Sequence, residues 1–208
     1  MVTQGSRQLQ QRGERWRLFA AVPLDAEVQQ AVARLQRGLA TRAWPVRWVQ
    51  PELAHITVKF FGDVPVGQLG VLRSQLASAA ERSMATTLST AGVGAFPSVT
   101  RPRVIWLGLS GNVKPLERLV ARVDAATGGD GGRPADKPFR AHITLGRVRD
   151  GARPISDLPA AIAEYGAIPH AVPVERLLLI RSTLGSSGPT YQTLAEWALG
   201  AVEPQEHG

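Results

Sequence analysis

Ala54-His55-Ile56-Thr57-Val58 and Ala141-His142-Ile143-Thr144-Leu145 are two nearly identical pentapeptides, their histidines 87 residues apart in a chain of 208. Each lies in an apolar run of strand character. Alternate side chains of a strand point to opposite faces. Ala54, Ile56, Val58 and Phe60 are therefore expected in the core, with His55, Thr57 and Lys59 on the other face. In the second copy Ala141, Ile143 and Leu145 pack inward, and His142 and Thr144 face out. The chain has only four histidines, and two of them share this frame. One His-x-Thr in a strand is usually an ordinary half-buried histidine. Two copies in matching frames point to a joint site, brought across one cleft by a pseudo-twofold between related halves.

The chemistry open to such a site is narrow. An imidazole titrates near pH ~6.5, so one ring can be neutral while its partner is protonated. The pair then supplies a general base and a general acid. Two threonine hydroxyls supply neutral donors for the non-bridging oxygens of a phosphate. No Ser-His-Asp arrangement is suggested. Neither motif has a carboxylate nearby, and a catalytic zinc usually has about three protein ligands, so no metal and no cofactor is expected.

Outward from the motifs the chain alternates strand and helix signals. Arg17 to Val22 is an apolar run closed by Pro23, which reads as a strand. Asp25 can cap a helix whose apolar face is Val28, Val32, Leu35 and Leu39. Residues 46–49 and 53–61 read as strands, the second stopped by Gly62-Asp63. Leu69, Leu72, Leu76 and Ala80 mark a second helix, and Val113, Leu116, Leu119, Val120 and Val123 a third. Residues 86–93 and 104–109 are strand-like around a loop from Pro97 to Pro102, with Trp106 expected in the core. Gly128 to Pro138 reads as a connector between lobes, residues 139–148 as a strand, and residues 157–165 as a short helix. Residues 174–182 and 191–199 read as final strands, with a helix the alternative for the last. The pattern predicts an α+β chain of alternating elements, with helices covering one face of the sheets. Residues 1–15 and 201–208 read as flexible tails around a single two-lobed domain, 16–200.

Composition narrows the class. A hydrophobic content of 44% with 20% charged residues is that of a globular protein. With no cysteine, thiol catalysis, disulfides, iron–sulfur clusters and thiolate zinc sites are excluded. The net charge of +7 comes mostly from arginine, suited to bidentate phosphate contacts. Codon bias toward arginine explains the excess equally well, so the charge permits a nucleic-acid partner without demonstrating one. No apolar run approaches the ~18 residues that cross a bilayer. No signal peptide is recognised in the first fifteen residues. The expected location is cytoplasmic, the expected state monomeric.

At the two motifs the chain resembles the 2H phosphoesterase superfamily, whose mark is a pair of His-x-Thr-x sequences. Here these are His55-Ile56-Thr57-Val58 and His142-Ile143-Thr144-Leu145. The resemblance extends to the bacterial and archaeal RNA 2′,3′-cyclic phosphodiesterases, the LigT or 2′-5′ RNA ligase family. Residues 48–64, 94–109 and 139–147 are similar to its three blocks, and Ser182, Leu184, Gly188-Pro189, Tyr191 and Trp197 to its closing pattern. Ala141 stands where proline is frequent.

The resemblance implies a duplicated, two-lobed LigT-like fold with sheets lining a central cleft and helices outside. It implies hydrolysis of an RNA 2′,3′-cyclic phosphate end to a 2′-phosphomonoester, with His55 the proton donor and His142 the proton acceptor. It also implies that Arg147 contacts phosphate. Strand parity objects, since Arg147 lies opposite His142 unless a bulge near Gly146 or the strand's end turns it back. Arg140 has the correct parity and is the rival; either could be a solvated surface arginine. Phe61 shares parity with His55 and could stack a base, although packing suits it better. Ligation on the same site, or non-catalytic binding of an RNA end, are the alternatives.

Overall fold

The computed structural model describes residues 13–128, 139–165, 169–185 and 188–200. Strand β1 (Arg15–Pro23) leads into helix α1 (Ala26–Ala40), then β2 (Val46–Trp48) and β3 (His55–Pro65). Helix α2 (Leu69–Glu81) precedes the pair β4 (Thr86–Pro97) and β5 (Pro102–Gly111). After α3 (Lys114–Thr127) come β6 (His142–Val148), α4 (Leu158–Glu164), β7 (Ala171–Val174), β8 (Arg176–Gly185) and β9 (Gly188–Ala198). The tails at 1–12 and 201–208, and residues 129–138 of the expected connector, lie outside the described residues. Glu14 and Arg15 do not belong to a tail: Arg15 already pairs with Pro65 in the sheet. Among the described residues no helix is long and apolar enough to cross a membrane.

The helices form where their patterns place them. Asp25 accepts a hydrogen bond from the Val28 amide at 2.8 Å, a cap of about 1 kcal/mol. Val28, Val32 and Leu39 of α1 are buried, as are Leu72, Leu76 and Ala80 of α2 and Leu116, Leu119, Val120 and Val123 of α3. They share one core with Leu18, Ala20 and Val22 of β1 and with Ile56 and Ile143. The opposite face of the sheet carries a smaller cluster of Phe19, Ala21, Leu178 and Ile180, with Tyr191 packed on it.

The nine strands of the described residues belong to one antiparallel sheet, in the order β7-β4-β5-β6-β3-β1-β8-β9, with β2 beside β6. The sheets expected to line a cleft are thus parts of one continuous curled sheet. The final segment is strand, not helix, because β9 pairs with β8 over its whole length. β7, which the sequence pattern missed, is a short edge strand containing Pro173.

Two bulges alter the expected facing. Along β3, Ala21 pairs with Thr57 and Ala20 with Lys59, so Val58 is the extra residue. The parity therefore flips after Val58. Lys59, expected outside, is 4% exposed, and its Nζ lies 3.2 Å from Asp124 Oδ1 of α3. Phe60, expected in the core, is 46% exposed. Phe61 is a second extra residue and packs against the main core rather than on the side of His55. Trp106 is also a correction: it is half-buried, with its ring facing His142 at 6.2 Å.

Ile56 and Ile143 are both fully buried and form the paired position between β3 and β6. Ile143→Ala should destabilise the fold by about 2–5 kcal/mol, read as a lower midpoint in urea unfolding.

Candidate active site

β3 and β6 run antiparallel about the Ile56–Ile143 pair. One step out on either side, this geometry sets His55 toward Thr144 and His142 toward Thr57. Each imidazole therefore has the hydroxyl of the other motif as its neighbour across the strands. The four side chains share the face opposite Ile56 and Ile143, and all four residues are half-buried.

The two rings are held alike. His55 Nδ1 lies 2.8 Å from the Leu53 carbonyl, and His142 Nδ1 lies 2.7 Å from the Arg140 carbonyl. A carbonyl only accepts, so each Nδ1 carries its hydrogen, and Nε2 is the nitrogen that titrates. Aromatic rings fix the orientation further. Phe19 stacks on His55 at 4.8 Å, and Tyr191 meets it edge-on at 5.7 Å. Phe96 meets His142 edge-on at 5.1 Å.

Burial lowers both histidines below the ordinary value of 6.5, because a half-dry pocket penalises the imidazolium. The backbone hydrogen bonds work against this, and the Arg147 charge adds to it in both rings. His142 lowers His55 further, and Arg140 lowers His142.

Both candidate arginines reach this side. Arg140 lies over the Trp106 ring at 5.6 Å. Arg147 gets there through a bulge. Trp106 pairs with Thr144 and Ile105 with Gly146, so Leu145 is the extra residue and parity flips after it. Gly146 then points to the core, where a Cβ would come within 2.5 Å of a Val46 methyl. Arg147 turns out to the face of the histidines.

One residue behind this bulge was not anticipated. Gln36 of α1 is 6% exposed, and its Nε2 donates to the Val49 carbonyl at 2.7 Å and the Leu145 carbonyl at 2.8 Å. It ties down the bulged residue itself. A lone amide on the apolar face of α1, between Val32 and Leu39, was the available signal. Phe19, Phe96 and Tyr191 were also missed as neighbours of the histidines; distant in sequence, they left no local signal.

A family model described as LigT like Phosphoesterase matches residues 22–106 and again residues 107–191. The chain belongs to the LigT-like phosphoesterase family. Each match holds one His-x-Thr, so the duplication that defines this family runs through the site. The chain is 34% identical to an RNA 2′,3′-cyclic phosphodiesterase of Geobacillus stearothermophilus over 87% of its own length, and spans 56% of that relative. It is 34% identical to an RNA 2′,3′-cyclic phosphodiesterase of Aeropyrum pernix over 79% of this chain and 93% of the relative. The crystal structure of TT0787 of Thermus thermophilus superposes with a TM-score of 0.70 at 28% identity, covering 89% of this chain and 98% of that one.

Removing the Arg147 charge should raise both imidazole pKa values toward 6.5, since a nearby cation disfavours their protonated forms. Histidine NMR titration of Arg147→Met checks this: both midpoints should move up, His55 and His142 together.

Proposed function

We propose that the chain hydrolyses RNA 2′,3′-cyclic phosphate ends to 2′-phosphomonoesters by two-histidine acid–base catalysis. The observation that carries this reading is the pair of rings on adjacent strands, each with Nδ1 tied to a carbonyl and Nε2 left to exchange a proton. The names of the Geobacillus and Aeropyrum relatives support the substrate class.

In the proposed step, water attacks phosphorus and gives its proton to His142 Nε2 while the bond from phosphorus to the 3′ oxygen breaks. His55 Nε2 protonates that leaving oxygen, producing a 3′ hydroxyl beside a 2′-phosphate. Proton exchange with solvent then restores the starting pair. Thr57 and Thr144 hold the non-bridging oxygens between the rings, and Arg147 neutralises the charge that builds on them. Arg140, beside His142, is the secondary cation.

The lowered pKa values suit the base: a ring that sheds its proton readily is neutral when water arrives. They make the acid scarce in the free protein at neutral pH. The anionic substrate corrects this by favouring imidazolium. The singly protonated free pair requires a pH below its upper apparent pKa, which the lowering of both groups shifts down. kcat/KM should therefore be bell-shaped and fall as pH rises above that value, with the kcat profile displaced upward.

Incubation with a 2′,3′-cyclic nucleotide tests the function directly. The expected product is the 2′-phosphate alone, resolved by phosphorus NMR; a mixture of 2′ and 3′ isomers overturns the assigned geometry. His55→Ala and His142→Ala should each lower turnover about 10²–10⁴-fold, and the double variant should be little worse than the worse single one.

Among the described residues no three His, Asp or Glu side chains come together. Activity should therefore survive dialysis against a chelator, and loss restored by a divalent ion would replace this mechanism.

A further inference from the structure

Strand β6 changes neighbours part-way along one edge. Ile143 pairs with Ile56 of β3. Gly146, Arg147 and Val148 pair instead with Trp48, Arg47 and Val46 of β2. β3 leaves and β2 takes over between Ile143 and Gly146, so this edge is split beside the second histidine motif. On the opposite edge, the pairing with β5 skips Leu145. The peptide of Leu145 is therefore out of the ladder on one edge and at the split on the other.

Gln36 reaches this point from the apolar face of α1. Its Nε2 donates to the Leu145 carbonyl at 2.8 Å and to the carbonyl of Val49, one residue past β2, at 2.7 Å. The Val49 amide donates to the Leu145 carbonyl at 2.9 Å. One side-chain amide thus closes the junction of β2, β6 and α1. Gln36 is 6% exposed, and Val32 and Leu39 on the same face are fully buried. Packing alone would be served by an apolar side chain of the same size; what the amide adds is the two hydrogen bonds.

Those bonds fall on the segment that carries the site. Leu145 follows Thr144 directly, and Arg147 is two residues further on. Leu145 and Gly146 are both buried on the core side, so Arg147 emerges on the side of His55 and His142. Where the Leu145 peptide is held decides where the Arg147 side chain starts.

We propose that Gln36 is a positioning residue for Arg147: by pinning the Leu145 and Val49 carbonyls together, it sets the place of the guanidinium beside the two imidazoles and the phosphate bound between them. The proposal rests on the cyclic-phosphate reading above for the phosphate, and on the geometry alone for the imidazoles. The Arg147 charge lowers both His55 and His142, after burial; His142 adds to the effect at His55, and Arg140 at His142. Displacing the guanidinium weakens its share, so both midpoints move up.

The test uses Gln36→Met, which keeps the length of the side chain and removes both donors. Hydrolysis of adenosine 2′,3′-cyclic phosphate and histidine NMR titration are measured on wild type, Gln36→Met, Arg147→Met and the double variant. Gln36→Met should lower kcat about tenfold, because a small misplacement of a charge-stabilising group slows the chemical step. Both histidine midpoints should rise, by less than in Arg147→Met. In the Arg147→Met background, Gln36→Met should change neither kcat nor the midpoints, since its effect passes through Arg147. Gln36→Asn, whose shorter amide cannot reach both carbonyls, gives the same comparison if Gln36→Met does not fold. A structural role alone predicts the same fold loss of kcat in both backgrounds and unmoved midpoints in the folded variant; either result overturns the proposal. If wild type cleaves no cyclic nucleotide, the hydrolase reading falls, and the midpoints still decide the role of Gln36.

Discussion

The two halves of this protein join where Ile56 of β3 pairs with Ile143 of β6, and both side chains are sealed from water. Antiparallel pairing about that point leaves no freedom in what stands on either side of it. A histidine and a threonine from each motif must share the opposite face, each imidazole beside the other motif's hydroxyl. Slipping the register by one residue would bury the imidazoles and expose the isoleucines, so the core itself holds the site in register.

The same bulge occurs in both halves. Val58 and Leu145 are each the third residue after their histidine, and each is skipped in strand pairing. The next residue is turned inward: Lys59, which meets Asp124, and Gly146, which packs under β2. The one after is turned outward: Phe60 and Arg147. A symmetric backbone device thus presents different chemistry in its two copies, an aromatic ring in one lobe and a cation in the other. The outward cation is what makes the environment of the two rings electrostatically one site, since Arg147 acts on both. Gln36 stabilises that arrangement from behind, giving the Leu145 carbonyl a second donor beside the Val49 amide and binding the Val49 carbonyl as well.

Half-buried imidazoles with lowered pKa values, beside an arginine with no carboxylate partner among the described residues, favour an anion. Burial alone would leave two weak bases; the added cation lowers them further and awaits a negative charge. In the proposed mechanism, binding a phosphate relieves both conditions, so the substrate's own charge prepares the pair for proton transfer.

Periodicity was enough to reveal the repeated motif, its facing as far as Val58 and Leu145, and the amphipathic faces of α1, α2 and α3, whereas the last segment stayed open between strand and helix until its pairing with β8 decided it. The motif and the helix faces depend on neighbours a few residues away, which a local pattern records. Membership of a duplicated phosphoesterase family was legible for the same reason, because both motifs and their flanks stand intact. The facing of Lys59, Phe60 and Phe61, and the way Arg147 reaches the histidines, were decided by bulges. A bulge is a mismatch between one strand and its partner, and neither strand records it alone. The side chains brought against the histidines, Phe19, Phe96 and Tyr191, and the pairing of Arg47 with Arg147 likewise exist only once strands distant in sequence lie side by side. The residue types therefore set which chemistry was available, and the pairing of strands set which of those residues met.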